Sequence, residues 1–252
     1  MPLTIHNLHR WDVSYKEALD LQETLRLQLS LRPLGKPMHL AGGIDVSYSK
    51  QGARLFAAVV IVDLKTMGVI EESTAEGEEE FKYIPGLLSF REIPILLKAI
   101  TSVQCIPDVF ILDGQGIAHP HGLGLASHFG LWIDVPTVGC AKSKLVGEYI
   151  PFAKRGGTYS GLCWKGKTVG AAVCTKDGIN PVFVSPGNRS DIESSVEVVL
   201  KSCRGYKLPE PIRKAHALAT SLRDREPASQ NSSVQVFRPR VSGEENGLSK
   251  KG

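Results

Sequence analysis

Residues 107–116 read PDVFILDGQG, and the four apolar residues Val109–Leu112 at their centre decide the fold. A short apolar run with no polar alternation is buried on both faces, the environment of a central parallel strand. Asp113 and Gly114 end it. Upstream lie three strand-like segments, His39–Tyr48, Arg54–Asp63 and Gly68–Ala75, joined by short turns at Lys50-Gln51-Gly52 and Leu64–Gly68. Strands so closely spaced form an antiparallel meander. Downstream, Thr137–Ala141 is a fifth strand. Two more, near Ser160–Trp164 and Val169–Thr175, flank Lys165-Gly166-Lys167, and another covers Val182–Ser185.

Helices occupy the intervals. Ser14 and Glu17 form a capping box for a helix over Ser14–Leu31, in which Ala18, Leu21, Leu25 and Leu29 follow helical spacing. The glutamate-rich run Glu76, Glu78, Glu79 and Glu80 reads as a connection into Tyr83-Ile84-Pro85-Gly86. A helix starting near Arg91 keeps Pro94 in its tolerated first turn, puts Glu92 at its entrance and ends near Ile100. A short helix lies near Ala126. Ser190 and Glu193 cap another that runs to about Cys203, and a last one begins at Pro209–Pro211 and carries His216. A meander followed by alternating helices and strands is an α/β mixed sheet flanked by helices, with its first and fourth strands adjacent. Residues 1–225 read as one domain, 1–37 being an N-terminal helical segment. Residues 226–252, rich in Ser, Asn, Pro and Gly and without periodicity, read as a disordered tail.

Of the 252 residues 42% are hydrophobic and 22% charged, a globular composition. The net charge of +4 admits a nucleic-acid partner without requiring one. Five cysteines in no CxxC pair read as reduced thiols, and no apolar run reaches membrane-span length. The expectation is a soluble, cytoplasmic monomer with no membrane partner.

Asp45, Glu92 and Asp113 each sit where a strand or helix meets a turn. Acids are costly to bury unpaired, so such positions suit a cation. Mg²⁺ is held by one or two carboxylates plus water and phosphate oxygens. Asp45 and Asp113 on adjacent strands supply two, and Glu92 adds a third group. The same acids also suit turn caps, or pairs with Arg91 or a lysine; spacing alone leaves both readings open. His216 shares its helix face with Ile212, Ala215 and Ala219, which fits a core histidine as well as a catalytic one. His119, His121 and His128 follow no zinc spacing.

The segments AGGIDVSYS (41–49), YIPGLLSFREIP (83–94), PDVFILDGQGIAHPHGLGLASHFG (107–130), VPTVGCAKSKL (135–145), FVSPGNRSDIESS (183–195) and LPEPIRKAHALA (208–219) together resemble endonuclease V, closest to its prokaryotic members. The resemblance implies a ribonuclease H-like fold and a Mg²⁺-dependent endonuclease, with Mn²⁺ as substitute. It also implies a substrate, DNA containing deoxyinosine, nicked at the second phosphodiester bond 3′ to the lesion to leave 3′-hydroxyl and 5′-phosphate ends. Inosine-containing RNA, or nucleic-acid binding without catalysis, are the alternatives. By motif position Asp45 and Asp113 become metal ligands and Glu92 and His216 further catalytic residues. Tyr83, Ile84 and Pro85 become a wedge. Gly86, Leu88, Gly114, Gly116, His119 and Gly139 become the base pocket, with Lys142 and Leu145 near the scissile phosphate. Lys82 stands where many members have proline.

Overall fold

The computed structural model describes residues 3–35, 37–50 and 53–226. The expected tail lies outside the described residues except for Glu226, which pairs with Arg54 at 3.1 Å. One eight-stranded sheet runs in the order β3-β2-β1-β4-β5-β8-β7-β6. The strands are β1 (Leu40–Tyr48), β2 (Arg54–Asp63), β3 (Val69–Glu78), β4 (Val109–Leu112), β5 (Thr137–Ala141), β6 (Tyr159–Trp164), β7 (Lys167–Val173) and β8 (Val182–Pro186). β1 to β3 are antiparallel; β1 pairs parallel with β4, and β4 parallel with β5. This is the ribonuclease H-like sheet, extended beyond β5 by an antiparallel trio.

Five helices cover the faces: α1 (Tyr15–Leu25), α2 (Leu88–Ile100), α3 (Leu125–Trp132), α4 (Ile192–Ser202) and α5 (Glu210–Asp224). Alternation along the central strands divides the core. Ile44, Phe110 and Leu112 face α2 and α3, whereas Ala41, Val109 and Ile111 face α4 and α5. Gly43 lies on the second face, where an added Cβ would overlap the Pro211 carbonyl and come within 2.6 Å of the Ile212 nitrogen. Its lack of a side chain lets α5 rest its backbone on β1.

Several boundaries differ from expectation: β7 runs Lys167–Val173, two residues ahead of its expected span, and four other differences bear on packing or capping. β3 continues through Glu76 and Glu78 because it is an edge strand, and Glu76 finds Arg54 at 2.8 Å. α2 starts at Leu88, so Pro94 stands inside the helix and Glu92 on its second turn rather than at its entrance. Burial of Phe90, Ile93, Leu96 and Ile100 on one stripe outweighs the hydrogen bond that proline forfeits. α1 gives way after Leu25 to a 3₁₀ turn, Arg26–Gln28. The cap of α4 is Asp191, whose carboxylate accepts from the Ser194 amide at 2.8 Å, while Ser190 donates to the Thr137 carbonyl at 2.7 Å.

Candidate active site

In the parallel pair β1–β4 Ile44 lies opposite Leu112, so the following residues, Asp45 and Asp113, come side by side. Asp113 stands just past the end of β4, but Asp45 lies within β1, paired with Ala58 of β2, rather than at the turn expected for it, because β1 continues to Tyr48 against β2. Both continue the alternation toward α5, and their side chains are only 12% and 14% exposed. From Ile212, seated over Gly43, four helical residues advance about 6 Å. From Gly43 to Asp45 two strand residues advance about 6.6 Å. The matched advance brings His216 onto Asp45, with Nδ1 2.7 Å from Oδ2. His216 is exposed, not a core histidine. Its bond to the carboxylate places the proton of a neutral ring on Nδ1 and leaves Nε2 as acceptor.

Lys142, just past β5, approaches Asp113 with Nζ 2.6 Å from Oδ2. Glu92 comes from the other layer and accepts a hydrogen bond from the Tyr48 hydroxyl. Arg91 covers the Tyr48 ring at 4.3 Å and pairs with Glu79 at 2.8 Å, which fixes that tyrosine from behind. Burial pushes the Glu92 carboxyl up to about 8, and the charges of Asp45 and Asp113 add to this against the Tyr48 bond. Burial likewise raises Asp45, with Asp113 adding and His216 opposing. For Lys142 burial acts downward, but the bond and charge of Asp113 prevail and raise it.

The three acids thus share one field and crowd negative charge against each other. Among the described residues no three His, Cys, Asp or Glu side chains form a ready-made cage. Two carboxylates side by side nevertheless fit a hard divalent cation, which takes its remaining ligands from water and phosphate oxygens. The ammonium already drawn to Asp113 indicates the charge the edge attracts. Asp45 and Asp113 would hold such an ion, which supplies charge neutralisation at a phosphate and a more acidic water. His216 can move a proton at Nε2, and Glu92 can orient or deprotonate a water.

Beside this edge lies a pocket of about 120 Å³. Five residues named from sequence line it, Tyr83, Gly86, Leu88, His119 and Leu145, joined by Ser89, Gln115, Leu123, Gly124 and Leu125. Tyr83 is 59% exposed at its mouth. Ile84 packs instead on the Ala18, Leu87 and Phe90 cluster, and Pro85 is exposed. Gly114, Gly116 and Gly139 stand behind the pocket. A Cβ on Gly139 would reach the Gly116 nitrogen at 2.5 Å, and one on Gly116 would overlap the Pro186 carbonyl, so these glycines let backbone pack on backbone. Gly86, at φ +85°, turns the wedge loop; its carbonyl accepts from Gln22 of α1 at 2.9 Å.

Sequence reasoning missed Gln22, Tyr48, Ser89 and Gln115. Gln22 left one trace: it interrupts the buried stripe Ala18–Gln22–Leu25. His119 lines the pocket, His121 lies 3.7 Å from Glu23, and His128 is fully buried.

Paired carboxylates from within β1 and from the end of β4 of a ribonuclease H-like sheet define the class: a phosphodiester-cleaving nuclease. The family model for endonuclease V matches residues 23–217. Endonuclease V of Dehalococcoides mccartyi is 44% identical over 222 residues, covering 88% of this chain and 100% of that one. The crystal structure of Streptomyces avermitilis endonuclease V superposes with a TM-score of 0.83 at 36% identity, over 89% of this chain and 100% of that one. Ciona intestinalis endonuclease V, solved with a 24mer DNA containing an inosine followed by a ribo-adenosine, gives 0.73 at 27%, over 82% and 96%. The chain belongs to the endonuclease V family.

Proposed function

We propose that this chain is a repair endonuclease that recognises deoxyinosine in DNA and hydrolyses the second phosphodiester bond on its 3′ side, leaving 3′-hydroxyl and 5′-phosphate ends. Asp45 and Asp113 hold Mg²⁺, or Mn²⁺ in its place. Glu92 positions the attacking water, His216 moves a proton, and Lys142 turns from Asp113 to the scissile phosphate. Tyr83 and Pro85, the exposed residues of the loop, fill the gap left by the extruded base, with Tyr83 making the stacking contact and Ile84 anchoring the loop on the core. One chain, residues 1–225, supplies every group, so a monomer suffices. The observation that carries the proposal is the meeting of Asp45, Asp113, Glu92 and His216 at one sheet edge beside a small pocket. The inosine-containing DNA bound by the Ciona relative supports the substrate. Extrusion costs least at a mispaired base, which favours a deaminated adenine.

The ribo-adenosine after the inosine in that complex favours a second reading, in which a 2′-hydroxyl beside the cut is accepted. Matched DNA and RNA strands, each with one inosine, test both. The expected outcome is one nick at a fixed distance from deoxyinosine, dependent on Mg²⁺; equal cutting of unmodified DNA would refute the proposal.

A further inference from the structure

Behind the pocket runs a chain of hydrogen bonds that starts at the surface and ends, buried, on the pocket wall. His9 Nδ1 is 2.8 Å from the Arg10 carbonyl, His9 Nε2 is 2.9 Å from His128 Nε2, and His128 Nδ1 is 2.9 Å from Ser89 Oγ. A carbonyl only accepts, so the His9 proton is on Nδ1. A neutral imidazole has one N–H, so His9 Nε2 is an acceptor. His128 therefore donates from Nε2 and accepts at Nδ1. Ser89 must give its single hydrogen to His128, which leaves only lone pairs for the pocket it lines.

The rings stay neutral because burial holds both histidines below their ordinary range, and a second proton would set two N–H groups face to face. Trp11, Phe90 and Trp132 pack around the pair, and His128 is fully buried. A second acceptor lies on the same wall. Gln115 donates Nε2 to the Ser143 carbonyl at 3.0 Å, and its Oε1 is buried without a partner.

We infer that Ser89 and Gln115 make this wall an obligate hydrogen-bond acceptor that selects a purine presenting N1–H, with polarity set by the Arg10 carbonyl through His9 and His128. The inference rests on the deoxyinosine reading above and names the residues that would carry it. Hypoxanthine donates from N1. Adenine has a lone pair there, which would meet lone pairs on the wall, and its 6-amino donor lies one atom away. Guanine shares the N1–H, so its exclusion falls to the space around C2.

The test compares single-turnover nicking by the full chain with Mg²⁺ on strands carrying deoxyinosine, deoxyadenosine or deoxynebularine, which lacks N1–H. The wild type should prefer deoxyinosine over both. Ser89→Ala removes the acceptor, and His9→Phe keeps the aromatic packing but frees His128 to reverse its tautomer and turn the serine hydrogen into the pocket. Each should reduce the inosine-to-adenine ratio about tenfold, the size of one mispaired hydrogen bond, without a matching loss of thermal midpoint. An unchanged ratio in folded Ser89→Ala would remove Ser89 as reader. An unchanged ratio in His9→Phe would overturn the relay, and that half-buried site keeps the test decisive if Ser89→Ala does not fold. Wild-type protein that cuts adenine as readily as inosine would sink the underlying function instead, a distinct result.

Discussion

The Tyr48 hydroxyl of β1 donates to Glu92 of α2, so the strand that carries Asp45 also orients an acid from the opposite layer. That bond favours the charged carboxylate, whereas burial and the other two acids oppose it. Tyr48→Phe should therefore raise the Glu92 pKa further. At fixed Mg²⁺ the acid limb of the nicking rate should move to higher pH, by up to about one unit. A pH–rate profile with its limb unmoved would separate Glu92 from the rate-limiting ionisation.

Glu92 also sets a pH dependence of stability. Its folded carboxyl titrates near 8, well above its ordinary 4.5, so the metal-free native state holds a proton that the unfolded chain has lost. The stabilising contribution is complete below 4.5 and is lost as pH rises through 8. Urea midpoints of the wild type should fall across that window, and Glu92→Gln should flatten the fall.

Asp113→Asn should abolish nicking but leave binding to inosine DNA. It also relieves repulsion on Asp45 and Glu92 while giving up the charge pair with Lys142, contributions of opposite sign, so the metal-free variant should differ little in stability from the wild type. Thermal denaturation with and without Mg²⁺ separates the two effects: the midpoint rise on adding the ion should vanish in the variant.

Gly43→Ala forces a methyl into the backbone of α5. The helix must shift, at a cost of about 1–3 kcal/mol. His216 travels with it, so the catalytic rate should fall even in molecules that stay folded. Denaturant titration alongside single-turnover kinetics checks both, and an unchanged rate would show that α5 tolerates the shift without losing Asp45.

Tyr83 is exposed, so Tyr83→Ala should leave stability alone. Loss of one aromatic stacking surface should weaken the inosine preference about tenfold or more, against a smaller change in metal-dependent cutting of flexible DNA. Competition between lesion and plain strands measures this directly.

Why part of this was legible in sequence follows from where each signal resides. β2, an apolar run with turns at both ends, is legible at both of its bounds, and the pairing of β1 with β4 follows from the meander and the alternating helices and strands after it. That pairing alone brought Asp45 beside Asp113. The start of α2 escapes a sequence reading because Pro94 is a local signal and the burial of Phe90 and Ile93 is a tertiary one. The end of β3 escapes it because glutamates on an edge strand resemble a loop until Arg54 stands beside them. The approach of His216 depends on the seating of α5 over Gly43, and the roles open to Ser89 and Gln115 depend on which atoms are already bonded. No spacing rule encodes either.

Because Lys142 sits against Asp113 at 2.6 Å, the chain supplies a counterion of its own for that carboxylate. A cation held at Asp113 would compete with the ammonium for the same oxygen, and a lysine displaced in that way would be free to meet a phosphate.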